Sequence, residues 1–498
     1  MAVQVSDKAR PWVVGSVMLG MFIVASETTI VATAMPSIVS QLGGFSHYSW
    51  LFAAFLLPQT TTTVIWGKLS DQFGRRPTIT AGYIIFLTAT LLCGFAWSMP
   101  SLIAFRLLQG IGAGAIQPIN MTIVADLYTL EQRAKVQGYI SGTWAVAGIL
   151  GPLLGGAIVK FLPWAWVFWL NLPIGLVALA GMRIFAAEHA QSRAMRIDYT
   201  GAGLFAVTVL ALLCVISEPD MGNIGMAVCA AVTVVGAAVT LWWERRVPEP
   251  IISIKLWTRR LIATCNMSAV LFGMILLGVT TMLPIYVQGV LGGSPVVAGA
   301  ALIMLAGGTP TAIIIARPIF NRIGLAETMR LGAFCLCLGM GGMLTLSADS
   351  SIWLCCFYML IMGFGMGWGL FIGVVMTQEA VELPLRGSAV AANVFCRSLG
   401  SAIGASALGA ILNYGLAHDA RPADEARLRD MLNHAAGLAS VAGSAGLRDV
   451  LYNAVHMTFW GVEVFAVASL IVAFLVPNNE VVAKGSHRGR SQPTAAGD

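Results

Sequence analysis

Uncharged apolar runs of about 20 residues recur from one end of the chain to the other, separated by short polar stretches that hold most of the charge. Coiled as a helix, a run of that length crosses a hydrocarbon core of roughly 30 Å. Fourteen such helices are predicted, with cores near 12–34, 49–67, 78–97, 101–126, 136–159, 166–185, 200–217, 222–243, 261–289, 296–316, 328–347, 352–376, 388–412 and 456–476. The longer polar breaks are "AAEHAQSRAMRIDY" (186–199), "WERRVPEPIISIKLWTRR" (243–260) and a mixed-charge loop over 413–455. They divide the chain into an N-terminal six-helix bundle (1–190), an inserted two-helix hairpin with connectors (191–260), a C-terminal six-helix bundle (261–477) and a polar tail (478–498). The expected fold class is an all-α polytopic membrane protein of 6 + 2 + 6 helices.

Composition agrees with that pattern. Only 10% of the 498 residues are charged and the mean hydropathy is +0.81, far from the roughly one-quarter charged content of soluble domains. With the N-terminus placed in the cytoplasm, 22 of the 29 Lys and Arg fall on the cytoplasmic side and five on the outer side. Arg106 and Arg397 are left inside spans. An excess of this kind orients membrane proteins. It predicts two cytoplasmic termini and explains the net charge of +6 without a nucleic-acid partner. The nine cysteines are scattered and form no C-x-x-C pair, so neither a disulfide framework nor a metal site is expected. There is no G-x-x-x-x-G-K-[ST] loop and no H-E-x-x-H motif, which argues against ATP-driven transport and against a metalloenzyme. No cofactor is expected.

Against this background the polar residues inside spans stand out. "ASETTIVATAMP" (25–36) places Glu27 in a run that is otherwise uncharged from Pro11 to Gln41. Counted from Pro11 it lies roughly 24 Å along the helix, beside a stripe of Ser26, Thr29, Thr33 and Ser37. Ionisable residues at such depth are costly and face a bundle interior or a watery cavity. On the fourth span, Gln109, Ala113, Gln117 and Asn120 fall within about 60° of Arg106 at 100° per residue. That polar face suits either a cavity wall or a purely structural hydrogen-bond network. Asn393, Arg397 and Ser401 share a face of the thirteenth span, and His456 and Glu463 one of the fourteenth. On the fifth span, Gly148, Gly151, Gly155 and Gly156 surround Pro152. Small residues at this spacing let helices approach closely and the proline bends the helix, as a packed, kinked pivot requires.

Between spans two and three, "GKLSDQFGRRP" (67–77) reads first as a positive-inside anchor in which Asp71, Arg75 and Arg76 pair or cap helix ends. Its spacing, with Gly67 and Gly74, resembles the signature loop of the major facilitator superfamily, and the resemblance implies a conformational latch. "RLLQGIGAGAIQP" (106–118) resembles the fourth-span motif of that superfamily, and "GILGPLLGG" (148–156) its proton-antiporter motif. "TTIVATAMP" (28–36), "WAWVFWLNLPIG" (164–175) and "RSLGSAIGA" (397–405) are similar to the pattern of the fourteen-spanner drug:proton antiporters. Two departures stand out: Glu27 replaces the usual first-span aspartate, and Ala165 an arginine often found in the W-x-W motif.

The resemblance implies an antiporter that exports hydrophobic, cationic compounds across the cytoplasmic membrane in exchange for protons. Glu27 and Arg106 would couple the two fluxes. Thr29, Thr33, Gln109, Gln117, Asn120, Asn393 and Arg397 would line the cavity. Expected partners are a small-molecule substrate, protons and the bilayer, with the protein a monomer and not an enzyme. A dedicated exporter or importer of one metabolite on the same scaffold is the alternative.

Overall fold

The structure is a computed structural model that describes residues 10–42, 48–183, 198–217, 222–247, 257–419, 428 and 445–477. Most of the 186–199 connector, most of the 413–455 loop and the 478–498 tail therefore lie outside the described residues. The elements are all helical: α1 (Arg10–Leu42), α2 (Tyr48–Phe73), α3 (Arg75–Gly94), α4 (Met99–Leu127), α5 (Leu130–Phe161), the short α6 (Trp166–Trp169), α7 (Asn171–Arg183), α8 (Tyr199–Ser217) and α9 (Gly222–Glu244). There follow α10 (Arg260–Ile285) with a π-helical end at Tyr286–Val290, α11 (Pro295–Ile314), α12 (Ala316–Ile323), α13 (Leu325–Leu344), α14 (Ile352–Glu379), α15 (Arg386–Asp419) and α16 (Ala445–Leu475).

Eleven of the described helices are long and apolar enough to cross a membrane. Helix also covers the predicted spans at 49–67, 200–217 and 328–347, but α2, α8 and α13 fall outside that set. The causes are visible in sequence. α2 carries Gln59 and four consecutive threonines, α8 is short, and α13 begins with Glu327 and Arg330. Outward faces carry large apolar side chains such as Trp97, Leu153, Ile224 and Trp353. Such faces suit lipid, where apolar exposure costs nothing.

Local chemistry sets the helix boundaries. Ser98 and Ser101 form a reciprocal capping box at the start of α4, satisfying backbone donors that a helix start leaves open. Gly74 opens α3 at φ 92° and Gly324 opens α13 at φ 91°, a backbone state that side-chain-bearing residues rarely adopt. Thr78 donates to the Gly74 carbonyl at 2.8 Å and Thr328 to that of Gly324 at 2.7 Å. The same turn thus occurs once in each half of the chain.

The cores follow this division. One cluster joins Val17, Met21, Phe55, Tyr83, Ile116 and Ala178 from α1–α4 and α7. Another joins Ile275, Tyr286, Leu336, Met359, Met362 and Val462 from α10, its π-helical end, α13, α14 and α16. The two halves mesh along α2 with α15 and α5 with α11. Val390 and Val394 of α15 belong to the first cluster, while Ala134 of α5 packs with Ala312, Phe320 and Phe371. α8 leans on α2 and α15 through Phe205, Val209, Leu57 and Phe395, and α9 packs mainly on α8.

Candidate functional site

Glu27 and Arg106 meet inside the N-terminal helices, both with fully buried side chains. Arg106 Nη1 donates to Glu27 Oε1 at 2.6 Å, and Asn171 Nδ2 to Glu27 Oε2 at 2.6 Å. Arg106 also donates to Gln109 Oε1 at 2.9 Å and to the Leu51 carbonyl at 3.3 Å. Gln109 in turn donates to Thr90 Oγ1 at 2.9 Å. The guanidinium lies 4.5 Å from the Phe55 ring centroid and 5.8 Å from that of Phe168, within cation–π range. Six helices (α1–α4, α6 and α7) therefore converge on one ion pair. Removing two charges from water costs several kcal/mol per ion unless geometry and further hydrogen bonds compensate. Compensation by the described residues is incomplete, because among them Arg106 Nη2 and Asn171 Oδ1 have no hydrogen-bond partner.

A second constellation closes one end of the molecule. Asp71, near the end of α2, accepts from Arg75 Nη1 at 2.5 Å, from the backbone of Gly387 at 2.9 Å and Ser388 at 2.7 Å, and from Ser388 Oγ at 2.6 Å. It caps α15, whose first N–H groups have no partner within the helix and attract negative charge. Asp126 accepts from Arg386 at 2.9 Å and from Arg75 at 3.3 Å, and Arg133 donates to Glu379 at 2.8 Å. Gln378 donates to the Met121 carbonyl at 3.4 Å. Gly67 permits the seam: a Cβ there would overlap Ala391 and come within 2.9 Å of the Gly387 carbonyl. Arg76 is half-buried nearby.

The third feature is the α1–α5 seam. A Cβ on Gly151 would overlap Thr29 Oγ1 and one on Gly155 would overlap Thr33 Oγ1. Thr29 and Thr33 bond back to the Ser26 and Ile30 carbonyls at 2.9 and 2.7 Å, so each threonine fills a glycine notch. Gly148 and Gly156 are exposed with open space around them. The Pro152 side chain lies outside the described residues.

The model of the Major Facilitator Superfamily matches residues 17–405. The chain belongs to the major facilitator superfamily. Multidrug resistance protein 3 of Bacillus subtilis is 33% identical over 80% of this chain and 79% of its own length. The multidrug transporter protein MdtP of the same species is 34% identical over 81% and 75%. The solved structure of the proton:xylose symporter XylE superposes over 96% of this chain and all of its own with a TM-score of 0.62 at 14% identity, which speaks for the shared fold. This major facilitator chain is a multi-pass membrane transporter of small molecules and not an enzyme.

Within that frame the residues singled out from sequence separate. Glu27, Arg106 and Gln109 form one network, and Gly67, Asp71, Gly74 and Arg75 lie together at the closed end. Thr29 and Thr33 pack on α5, and Asn393 donates to Cys265 O at 3.2 Å and Asn266 Oδ1 at 3.3 Å on α10. Asn120 is fully buried against Gly20 and Tyr83. Gln117 and Arg397 have no hydrogen bond or ion pair with a described residue. His456 Nε2 meets the Leu344 carbonyl at 2.8 Å while half-buried Glu463 faces Gly341, so the two do not meet. Sequence reasoning missed Asn171, Asp126, Arg133 and Ser388 as partners. Asn171 lay inside a quoted motif, and the others are polar residues at span ends, where an anchoring role explains them equally well.

Proposed function

We propose that this transporter is a proton-coupled antiporter exporting hydrophobic compounds across the cytoplasmic membrane by alternating access, with Glu27 as the proton carrier. The observation that carries the reading is the sealed Glu27–Arg106–Asn171 cluster, a titratable pair under fully buried, incompletely compensated conditions. Protonating Glu27 removes the charge that holds Arg106 and Asn171, freeing helices α1, α4 and α7 to shift together. Thr29 and Thr33 would slide in the notches of Gly151 and Gly155 as α1 moves on α5.

The proposed architecture is the 6 + 2 + 6 division at 190, 260 and 477, monomeric, with both termini cytoplasmic. In that orientation the Asp71 end is the cytoplasmic gate, closed here. Opening that gate has to break the contacts of Asp71, Asp126 and Glu379 across the halves. A proton entering through about 100 mV contributes roughly 2.3 kcal/mol. Once Glu27 becomes reachable in the cycle, a cation and a proton compete for one carboxylate, which is how cationic cargo would be exchanged.

The test is dye accumulation in inverted vesicles under an imposed pH gradient, comparing wild type with Glu27→Gln and Glu27→Asp. Gradient-dependent accumulation is expected in wild type, weakened in Glu27→Asp and absent in Glu27→Gln. Full accumulation by Glu27→Gln contradicts the assignment.

A further inference from the structure

The cover over the Glu27–Arg106 pair is a short segment with a hinge and a latch. Residues 164–171 lead from the end of α5 into α7 and are flanked by Pro163 and Pro173. Pro173 offers no N–H to the Trp169 carbonyl four residues earlier, and the helix is interrupted at Leu170 between α6 and α7. Phe168 and Asn171 both precede that proline. Phe168 is fully buried with its ring centroid 5.8 Å from the Arg106 guanidinium, and Asn171 donates to Glu27 at 2.6 Å. One turn of chain thus touches both members of the ion pair.

The segment lies on the side of Glu27 away from the Asp71 end. There Trp164, Val167 and Phe168 pack with Ile30 of α1, Leu51 of α2 and Leu102 of α4. Trp166, two residues before the buried Phe168, is exposed, so at this point the cover is a single turn thick. Its attachments are few. Among the described residues, side chains of the segment donate two hydrogen bonds to other helices, one from Asn171 to Glu27 and one from Trp169 to the Leu91 carbonyl of α3 at 3.3 Å. The Trp169 ring fills the space that a Cβ on Gly94 would occupy. Phe95 and Trp166 flank it at centroid distances of 5.1 and 5.7 Å. Trp169 is therefore the one tether of the cover that does not belong to the ion pair itself.

We propose that residues 164–171 are the outer lid of the proton site, with Trp169 as the latch and the Leu170–Pro173 break as the hinge. When Trp169 leaves the Gly94 notch, the turn swings on α7, drawing Phe168 off Arg106 and Asn171 off Glu27, and the carboxylate becomes reachable from the outer face. The lid rests on the reading of Glu27 as the proton carrier and gives that site an entrance.

The test is modification of Glu27 in the full-length protein by a membrane-impermeant carbodiimide and a glycine ester, read as the mass of the peptide containing residue 27. Right-side-out vesicles present the outer face to the reagent and inverted vesicles the inner face. In Trp169→Ala the outer-face rate should rise about tenfold, the combined worth of an indole hydrogen bond and its ring contacts, with the inner-face rate unchanged. Trp169→Phe refills the notch without the N–H and should show a smaller rise. Trp353→Ala, which removes an exposed tryptophan at the start of α14, should match wild type. An unchanged inner-face rate shows that the variant has folded. An outer-face rate in Trp169→Ala equal to that of wild type, or a rise of equal size from both faces, overturns the lid. The export reading is decided separately: it fails if Glu27→Gln keeps gradient-dependent dye accumulation, whatever the labelling shows.

Discussion

Arg106 and Arg397 are the two arginines placed deep within spans, and their surroundings are opposite. Arg106 is held by a carboxylate, an amide, a carbonyl and two aromatic rings, with no exposed surface. Arg397 is half-buried and has no hydrogen-bond or ionic partner among the described residues. The contrast separates two jobs. A charge enclosed by partners ties several helices together and can store and release a proton on its neighbour, whereas a charge without them holds no helices together.

Truncation should expose the difference first as stability. Arg106→Ala leaves the Glu27 carboxylate buried with Asn171 alone, and losing one partner of a buried pair costs about 3–5 kcal/mol. A large fall in the thermal unfolding temperature of the purified protein is expected. If the double variant Glu27→Gln/Arg106→Met is no more stable than Arg106→Ala, the loss does not come from an orphaned charge.

The gate should respond next. Asp71→Asn replaces an acceptor of four hydrogen bonds with a neutral amide, at about 2 kcal/mol. A cysteine at Val394, in a background without native cysteines, should then be labelled from the gate side roughly 30-fold faster. Labelling unchanged from wild type means that Asp71 does not hold the halves together.

A smaller effect belongs to the α1–α5 seam. Gly151→Ala should destabilise by about 1–3 kcal/mol through overpacking against Thr29, with partial relief from Thr29→Ala, read as unfolding temperatures. Smallest of all, Arg397→Gln breaks no contact, and its stability should stay within about 0.5 kcal/mol of wild type. A loss like that of Arg106→Ala would end the contrast between the two arginines.

The positions of the helices were legible in the sequence because a membrane imposes one length and one composition on every span. The exceptions are local: α12 is a polar surface helix, and the sixth span is interrupted at Leu170 between α6 and α7. Glu27 and Arg106 were visible as charges in apolar runs, since such placement has few structural uses. Their pairing was not visible, because periodicity ranks the faces within one helix and says nothing about which helices adjoin. For the same reason Thr29 and Thr33, read as a polar stripe beside Glu27, prove to fill the notches of Gly151 and Gly155. Glu379 and Arg386 each pair with a residue of the other half, a pairing that spacing along one helix cannot show.

Proton release on substrate binding tests the account most directly. The purified protein is held in weakly buffered detergent, a transported cation is added, and pH and binding are recorded together. Wild type should release protons as it binds. Glu27→Gln should bind without any release, because the carboxylate of the sealed cluster is then gone. Release by Glu27→Gln equal to that of wild type contradicts the claim that Glu27 carries the proton.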